Sequence, residues 1–272
     1  MKSISVITIN YNNRSGLEKT FASVFSQTKK DFEYIVIDGG SSDGSEDLIE
    51  NHLSEINYFV SEKDNGIYHA MNKGIRASTG DFVIFMNSGD LFSDNSQIET
   101  ICNELKNDDE IVYGDVRLLN KITNYDAIQK HPKVLSFKYF YNQTICHQAC
   151  IIKRSLFEFI FYYNEAYKIA SDWEFLIVAI FINNVKYRKI ASTIAIFDCG
   201  GISTNGHLKL VAKQEREQVL NKYFSLFKDD YAVLASHSSV RSQNLLLIQK
   251  SKFFRGIVSA VFFMILKFLP KK

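Results

Sequence analysis

Residues 34–44 read Tyr34-Ile35-Val36-Ile37-Asp38-Gly39-Gly40-Ser41-Ser42-Asp43-Gly44: four apolar residues in succession, a carboxylate, then a turn of glycine and serine. A strand that is apolar on consecutive residues is covered on both faces, which is the habit of parallel sheets flanked by helices. The pattern recurs on either side. Residues 3–9 form a β-rich run that ends at Asn10-Tyr11-Asn12-Asn13, residues 58–60 a short strand that leads to Glu62-Lys63-Asp64-Asn65-Gly66, and residues 81–86 a strand that ends at Asn87-Ser88-Gly89-Asp90. Helical spacing fills the intervals at 15–26 (Leu17, Phe21, Val24, Phe25), 43–53 and 67–77. Alternation of this kind predicts an α/β fold with ligands held outside the carboxyl ends of the strands.

The second half is less regular. Residues 111–118 and 122–125 pair as a hairpin around Asn120-Lys121, and 148–153 reads as another strand. Residues 172–182 are almost wholly apolar after the first few, and on length they favour a buried helix. A strand or hairpin is expected at 186–197, a long charged helix at 207–227, and one or two helices over 241–269.

Composition narrows the class. The chain has 272 residues, 46% hydrophobic and 23% charged, so it can bury a sizeable core and is neither disordered nor a multi-span membrane chain. Its 2 prolines, against roughly a dozen at the usual frequency, leave no proline-rich linker. The net charge of +2 hides an asymmetry: residues 1–110 carry 9 Lys/Arg and 19 Asp/Glu, and residues 111–272 carry 23 and 11. Cys102, Cys146, Cys150 and Cys199 form no C-x-x-C pair, and the amino terminus runs into a strand-like segment instead of a signal peptide. Reduced thiols in a cytoplasmic protein are the expectation.

Four polar strand ends, three of them with a carboxylate, mark a site. Carboxylates crowded on one rim repel unless a cation or hydrogen-bond donors sit among them, and Mg²⁺ or Mn²⁺ holding a diphosphate suits such a rim. The turn after the first strand has no glycine and no G-K-[ST] occurs, so dinucleotide-fingerprint and P-loop chemistry are disfavoured. Nucleotidyl transfer, which expects a glycine- and lysine-rich phosphate loop at that turn, is disfavoured on the same ground.

The series Ser5-Val6-Ile7-Thr8-Ile9-Asn10-Tyr11-Asn12, Val36 to Gly44, Asp64-Asn65-Gly66-Ile67-Tyr68-His69-Ala70-Met71-Asn72-Lys73-Gly74, Gly80-Asp81 and Asn87-Ser88-Gly89-Asp90 resembles the family 2 glycosyltransferases. The likeness is strong over about the first 90 residues and looser to about 205. It implies a GT-A fold: a Rossmann-like, mostly parallel central sheet with helices on both faces, here followed by a C-terminal helical tail. It further implies an inverting, metal-dependent transfer from a nucleotide-diphosphate sugar, UDP-linked by expectation, to a glycan or lipid-linked acceptor in surface polysaccharide assembly. Thr8, Asn10 and Tyr11 would line the nucleoside pocket, Asp38 would accept from the base or ribose, and Asp64 and Lys73 would close over the nucleotide. Asp90 matches the last acid of the family's metal motif, with Asn87, a ribose-bonding candidate, and Gly89 where acids are frequent. Asp172 resembles the base, with Glu174 second, and His147-Gln148-Ala149 resembles a segment beside the acceptor cleft, which adds His147 to the catalytic candidates. His69 stands where Asp is often found and receives no role. Gly200-Gly201-Ile202-Ser203 and His207 form a loop suited to folding over the diphosphate. The division expected is 1–110 for the nucleotide sugar, 111–205 for acceptor and catalysis, and 206–272 for C-terminal helices. A different class, a catalytically weak sugar-nucleotide-binding or scaffold subunit, fits the thinned metal motif.

The last 32 residues hold 7 Lys/Arg and no acid. Arg255 and Lys267 leave 11 uncharged residues between them, short of the ~20 that span a bilayer. A helix lying on the inner face of the cytoplasmic membrane is expected, its apolar side chains inserted and its lysines on anionic headgroups. The basic excess therefore points to a membrane surface, with no nucleic-acid partner.

Overall fold

The computed structural model describes residues 2–120, 123–199, 206–236 and 240–268. The chain forms two compact units, Met1–Val219 and Leu220–Lys272.

In the first unit β1 (Ile4–Asn10), β2 (Glu33–Asp38), β3 (Tyr58–Ser61) and β4 (Phe82–Phe85) alternate with α1 (Arg14–Phe25), α2 (Ser45–Glu50) and α3 (Ile67–Ala77). These four strands are parallel, in the order β3-β2-β1-β4. Alternate residues of β1 serve opposite faces. Ile4 and Val6 join Leu17, Phe21 and Val24 of α1 in one core cluster, while Ile7 meets α3 so closely that a Cβ on Gly74 would lie 2.4 Å from Ile7 Cγ2. Helices therefore cover both faces, as the unbroken apolar strands require.

The rest of the sheet is mixed. After β5 (Leu91–Phe92) and α4 (Gln97–Glu104) come β6 (Ile111–Asn120), β7 (Tyr125–Gln129), α5 (Phe137–Asn142), β8 (Cys150–Lys153), α6 (Ser155–Phe159), α7 (Ser171–Phe181) and β9 (Tyr187–Asp198). The nine-stranded sheet continues β4-β8-β6-β9-β5, with β7 on β6. β8 is antiparallel to both β4 and β6, so the parallel character belongs to the first four strands. Residues 186–197 resolve as one long strand, which pairs with β6 through two register shifts. Gly114 sits at those shifts, where a Cβ would lie 2.5 Å from the Ser192 carbonyl oxygen, so only glycine lets the backbones approach. The hairpin expected around Asn120-Lys121 forms between β6 and β7; Lys121 and Ile122 lie outside the described residues.

Helix α7 is buried from Trp173 to Ile180, as expected of a helix apolar all round. Helix α8 (Gly206–Tyr223) follows the segment 200–205, so the glycine loop proposed for the diphosphate lies outside the described residues, as does the His207 side chain.

The second unit contains α9 (Ser225–Ser236), α10 (Val240–Gln249) and α11 (Lys252–Leu266). Two helices thus occupy the carboxyl-terminal stretch. Ser251 caps α11, none of whose residues is buried; Phe253 is 71% and Phe263 63% exposed. At 15 residues, α11 is about 22 Å long, and no helix among the described residues is long and apolar enough to cross a membrane.

Candidate active site

The strand order places β2 and β3 on one side of β1 and β4 on the other, so the chain reverses direction across the sheet between β1 and β4. Open α/β sheets bind ligands in the crevice at such a point. The ends of all four strands meet there.

Asp38 organises the first three. Its carboxylate accepts from Asn10 Nδ2 at 2.7 Å, Ser41 Oγ at 2.6 Å, Ser41 N at 2.8 Å, Gly40 N at 3.1 Å and Ser61 Oγ at 2.8 Å. Burial raises its pKa, but the Ser41 bonds, then Asn10 and Ser61, outweigh this and hold it below the usual range. Five donors use its lone pairs, so a base or ribose reaches Asp38 only by displacing a serine hydroxyl. Asn10 Oδ1, beside it, is buried with no hydrogen-bond partner.

Thr8 departs from its expected place. It is fully buried, and its hydroxyl lies 2.9 Å from Tyr34 Oη and donates to the Met86 carbonyl at 2.7 Å. It ties β1 to the end of β4 from inside the layer and does not face the rim. Tyr11, 66% exposed, does. A Cβ on Gly39 would stand 3.1 Å from Tyr11 Cδ2 and 3.2 Å from Asp64 Oδ2, so Gly39 floors a narrow slot between ring and carboxylate. Asp64 Oδ1 is 2.6 Å from Lys73 Nζ and 2.9 Å from His69 Nδ1, and Lys73 also reaches Glu62 at 2.8 Å. His69, without a role from sequence, thus buttresses Asp64.

The fourth strand end faces the turn before β8. Thr20 of α1 donates to the carbonyl of Asp90 at 2.9 Å and receives Gly89 N at 2.9 Å, which fixes the turn 87–90. Gln148 Nε2 donates to Asp90 Oδ2 at 3.0 Å. His147, in the one-turn helix before β8, stands with Nε2 3.0 Å from Asn87 Nδ2 and Nδ1 3.4 Å from Asp172 Oδ2. Tyr68 Oη donates to Asp172 Oδ1 at 3.0 Å.

Burial raises the Asp172 pKa, yet His147, by hydrogen bond and charge, together with Tyr68 and the Trp173 N–H, holds it below the usual carboxylate range. Burial likewise lowers His147, and Asp172 followed by Asp90 outweighs it, so the imidazole pKa is raised. With Asn87 Nδ2 donating to Nε2, the neutral ring carries its proton on Nδ1, toward Asp172. A second proton on Nε2 requires the Asn87 amide to turn over and present Oδ1, which otherwise is buried without a partner. Glu174, two residues further on and 1% exposed, starts about 200° around α7 from Asp172; the carboxylate bonded to Tyr68 and paired with His147 is that of Asp172.

The sequence reading assigned no role to Tyr68 or Gln148. Gln148 adjoins His147 and Tyr68 lies within the 64–74 motif, but only the tertiary fold brings Tyr68 to Asp172 and Gln148 to Asp90.

Among the described residues no three His, Cys, Asp or Glu side chains gather as a metal-binding set. What the turn offers is the Asp90 carboxylate and the unpartnered Asn87 Oδ1, a sparse oxygen set that fits Mg²⁺ or Mn²⁺ only with phosphate and water completing the shell.

The profile described as Glycosyl transferase family 2 matches residues 5–161, from β1 through the turn after β8 and α6. The chain belongs to glycosyl transferase family 2. It is 29% identical over 176 residues to a PGL/p-HBAD biosynthesis glycosyltransferase of Mycobacterium bovis, covering 63% of this chain and 67% of that one. It is 30% identical over 205 residues to an uncharacterized glycosyltransferase of Mycobacterium tuberculosis, covering 74% and 77%. Among solved structures, TarS 1–349 of S. aureus in complex with UDP superposes with a TM-score of 0.60 at 20% identity over 73% of this chain, which spans 60% of that one. The mannosyltransferase PcManGT of Pyrobaculum calidifontis, in complex with GDP-Man and Mn²⁺, gives 0.60 at 16% identity over 94% of this chain and 83% of its own. These likenesses establish the GT-A-type fold of this glycosyltransferase.

Proposed function

We propose that this glycosyltransferase moves a sugar from a nucleotide-diphosphate sugar to a hydroxyl of a glycan or lipid-linked acceptor, with inversion, in surface polysaccharide assembly. The observation that carries the reading is the histidine bridge: His147 links Asn87 on the donor-side turn to Asp172 on the acceptor-side helix, at 3.0 and 3.4 Å. One ionised carboxylate held across the crevice from a nucleotide slot suits a single displacement. Neighbours solved with UDP, UDP-GlcNAc and GDP-Man support the donor class.

In this mechanism Tyr11, Gly39, Asp64 and Lys73 bound the nucleotide slot, with Asn10 held in place by Asp38. Asp172 takes the proton of the acceptor hydroxyl as its oxygen bonds to the anomeric carbon. The bond from that carbon to the diphosphate oxygen breaks on the opposite face, the electron pair leaves with the nucleoside diphosphate, and configuration inverts. Tyr68 and His147 keep Asp172 ionised and aimed. Asp90, steadied by Gln148, would hold a divalent metal, Mg²⁺ or Mn²⁺, joined by Asn87 Oδ1 only while His147 Nε2 is unprotonated; when bound, the metal neutralises charge on the leaving diphosphate.

The single charged ligand at Asp90 is the observation that favours a second reading, a sugar-nucleotide-binding or scaffold subunit with little turnover. Thermal stabilisation across a panel of nucleotide sugars, with and without Mn²⁺, identifies the donor. Release of nucleoside diphosphate in the presence of acceptors then decides: turnover supports transfer, and metal-dependent binding without turnover supports the scaffold.

Helix α11 supports a peripheral position on the cytoplasmic face of the membrane. Its exposed phenylalanines are flanked by Lys252, Arg255 and Lys267 and by no acid, a combination suited to an anionic lipid surface. Flotation with phosphatidylglycerol vesicles, reduced by R255E/K267E and absent with phosphatidylcholine alone, is the expected outcome; equal flotation of the variant contradicts it.

A further inference from the structure

Helix α7 begins without a cap of its own. Its N-cap residue is Ala170, which offers no side-chain acceptor, although the first four N–H groups of any helix lack partners within it. Asp172 Oδ1 takes the Trp173 N–H at 2.9 Å, and the segment that leads into the helix, up to its N-cap N–H, is held from α8. Glu215, 7% exposed, takes Lys168 N at 2.7 Å on Oε1, and Ile169 N and Ala170 N, both at 3.0 Å, on Oε2. Three consecutive backbone donors thus converge on one buried carboxylate from 45 or more residues away.

The next residue of α8 grips the other side of Asp172. The Arg216 guanidinium lies over the Trp173 ring at 5.1 Å, while Trp173 Nε1 donates to the Phe140 carbonyl at 2.8 Å. Asp172 therefore rides between residue 170, held by Glu215, and residue 173, covered by Arg216. Its own bonds are distance-sensitive: Tyr68 Oη at 3.0 Å and His147 Nδ1 at 3.4 Å leave little room for a shift of the helix start.

We propose that Glu215 is a positioning residue for the reaction: by accepting the N–H groups of 168–170 it fixes the start of α7, and so sets where the Asp172 carboxylate meets the acceptor hydroxyl. The inference rests on the reading of Asp172 as the base. Asp serves less well at 215 because its carboxylate stops one methylene short. Gln serves poorly because its amide nitrogen, a donor, faces backbone donors.

The test compares wild type, E215Q, E215D and D172N in the full chain, with the donor chosen from the panel above. Thermal unfolding, nucleoside diphosphate affinity, and the pH profile of kcat are measured together. The groups that act on the Asp172 charge and so shape that profile are His147, Tyr68, Arg216, Tyr163, Cys146 and Cys150. E215Q should bind UDP within about twofold of wild type while kcat falls about tenfold or more, as expected for a misplaced reacting group. Its acid limb should move to higher pH, because a displaced Asp172 loses Tyr68 and His147, and E215D should recover part of both effects. Wild-type kcat and profile in E215Q, or a lower kcat with an unmoved acid limb, overturns the proposal. If E215Q does not fold, the acid limb of E215D decides in the same way. A fully active D172N instead overturns the assignment of the base, whatever Glu215 does.

Discussion

His147 Nδ1 lies 3.4 Å from Asp172 Oδ2, across the boundary between the turn that precedes β8 and the first turn of α7. The two groups raise and lower each other's pKa in opposite senses: burial works against both charges, and the pairing outweighs it for each. The base proposed at Asp172 is thereby a carboxylate that stays ionised at neutral pH although burial alone would neutralise it.

Removing the second support exposes this balance. Tyr68 donates to Asp172 Oδ1 at 3.0 Å, and a hydrogen bond to a charged group contributes about 1.5–3 kcal/mol. Tyr68→Phe is expected to lower kcat about 10- to 100-fold and to move its acid limb upward, since the lost donor favoured the ionised form. A kcat profile that superposes on that of the wild type would show that Tyr68 does not tune the base.

The slot proposed for the nucleotide has its own handle in Gly39. A methyl there would stand 3.1 Å from Tyr11 Cδ2 and 3.2 Å from Asp64 Oδ2, tighter than ordinary contact. Gly39→Ala should weaken UDP binding by about 1 kcal/mol, roughly fivefold, with kcat at saturating donor nearly unchanged, because a ground-state contact is lost. Calorimetric titration reads the first quantity and steady-state kinetics the second; a fall in kcat with unchanged affinity would place Gly39 elsewhere in the mechanism.

Most of the first, parallel half of the sheet was legible from local pattern alone. Consecutive apolar residues at 34–37 announced a doubly covered strand, and the polar ends at Asn10, Asp38, Asp64 and Asn87 did converge. Burial direction was not legible. Thr8 and Asn10 sit two apart on one strand, yet Thr8 is fixed under the layer by Met86 and Tyr34, and Asp38 is saturated by donors from Asn10, Ser41 and Ser61. The mixed half hid its geometry because β8 enters the sheet antiparallel between β4 and β6, and no periodicity encodes that neighbour choice. Tyr68 and Glu215 reach α7 from α3 and α8, contacts separated by 104 and 45 residues that only packing reveals.

Away from the site, His131 predicts a pH dependence of stability. Burial lowers its pKa from 6.5 to about 4, with Asp115 opposing and Lys189 assisting, and its Nδ1 lies 2.8 Å from Tyr139 Oη. The unfolded chain therefore binds a proton that the folded chain refuses between pH 6.5 and about 4, so stability from this residue is complete above 6.5 and falls with acidification through that window. The loss is on the order of 3 kcal/mol. Urea unfolding of His131→Asn should show a shallower fall across the window than wild type; parallel curves would mean that His131 titrates normally.

The central claim is that Asp172 accepts the acceptor's proton, and Asp172→Asn tests it with the least disturbance. The amide keeps an oxygen for the Tyr68 hydroxyl and nearly the same shape, but it cannot take a proton. Nucleoside diphosphate release with donor and acceptor saturating should fall about 10²- to 10⁴-fold, while UDP affinity, fixed at the other strand ends, stays within about twofold. An Asp172→Asn variant that turns over at the wild-type rate would contradict the mechanism.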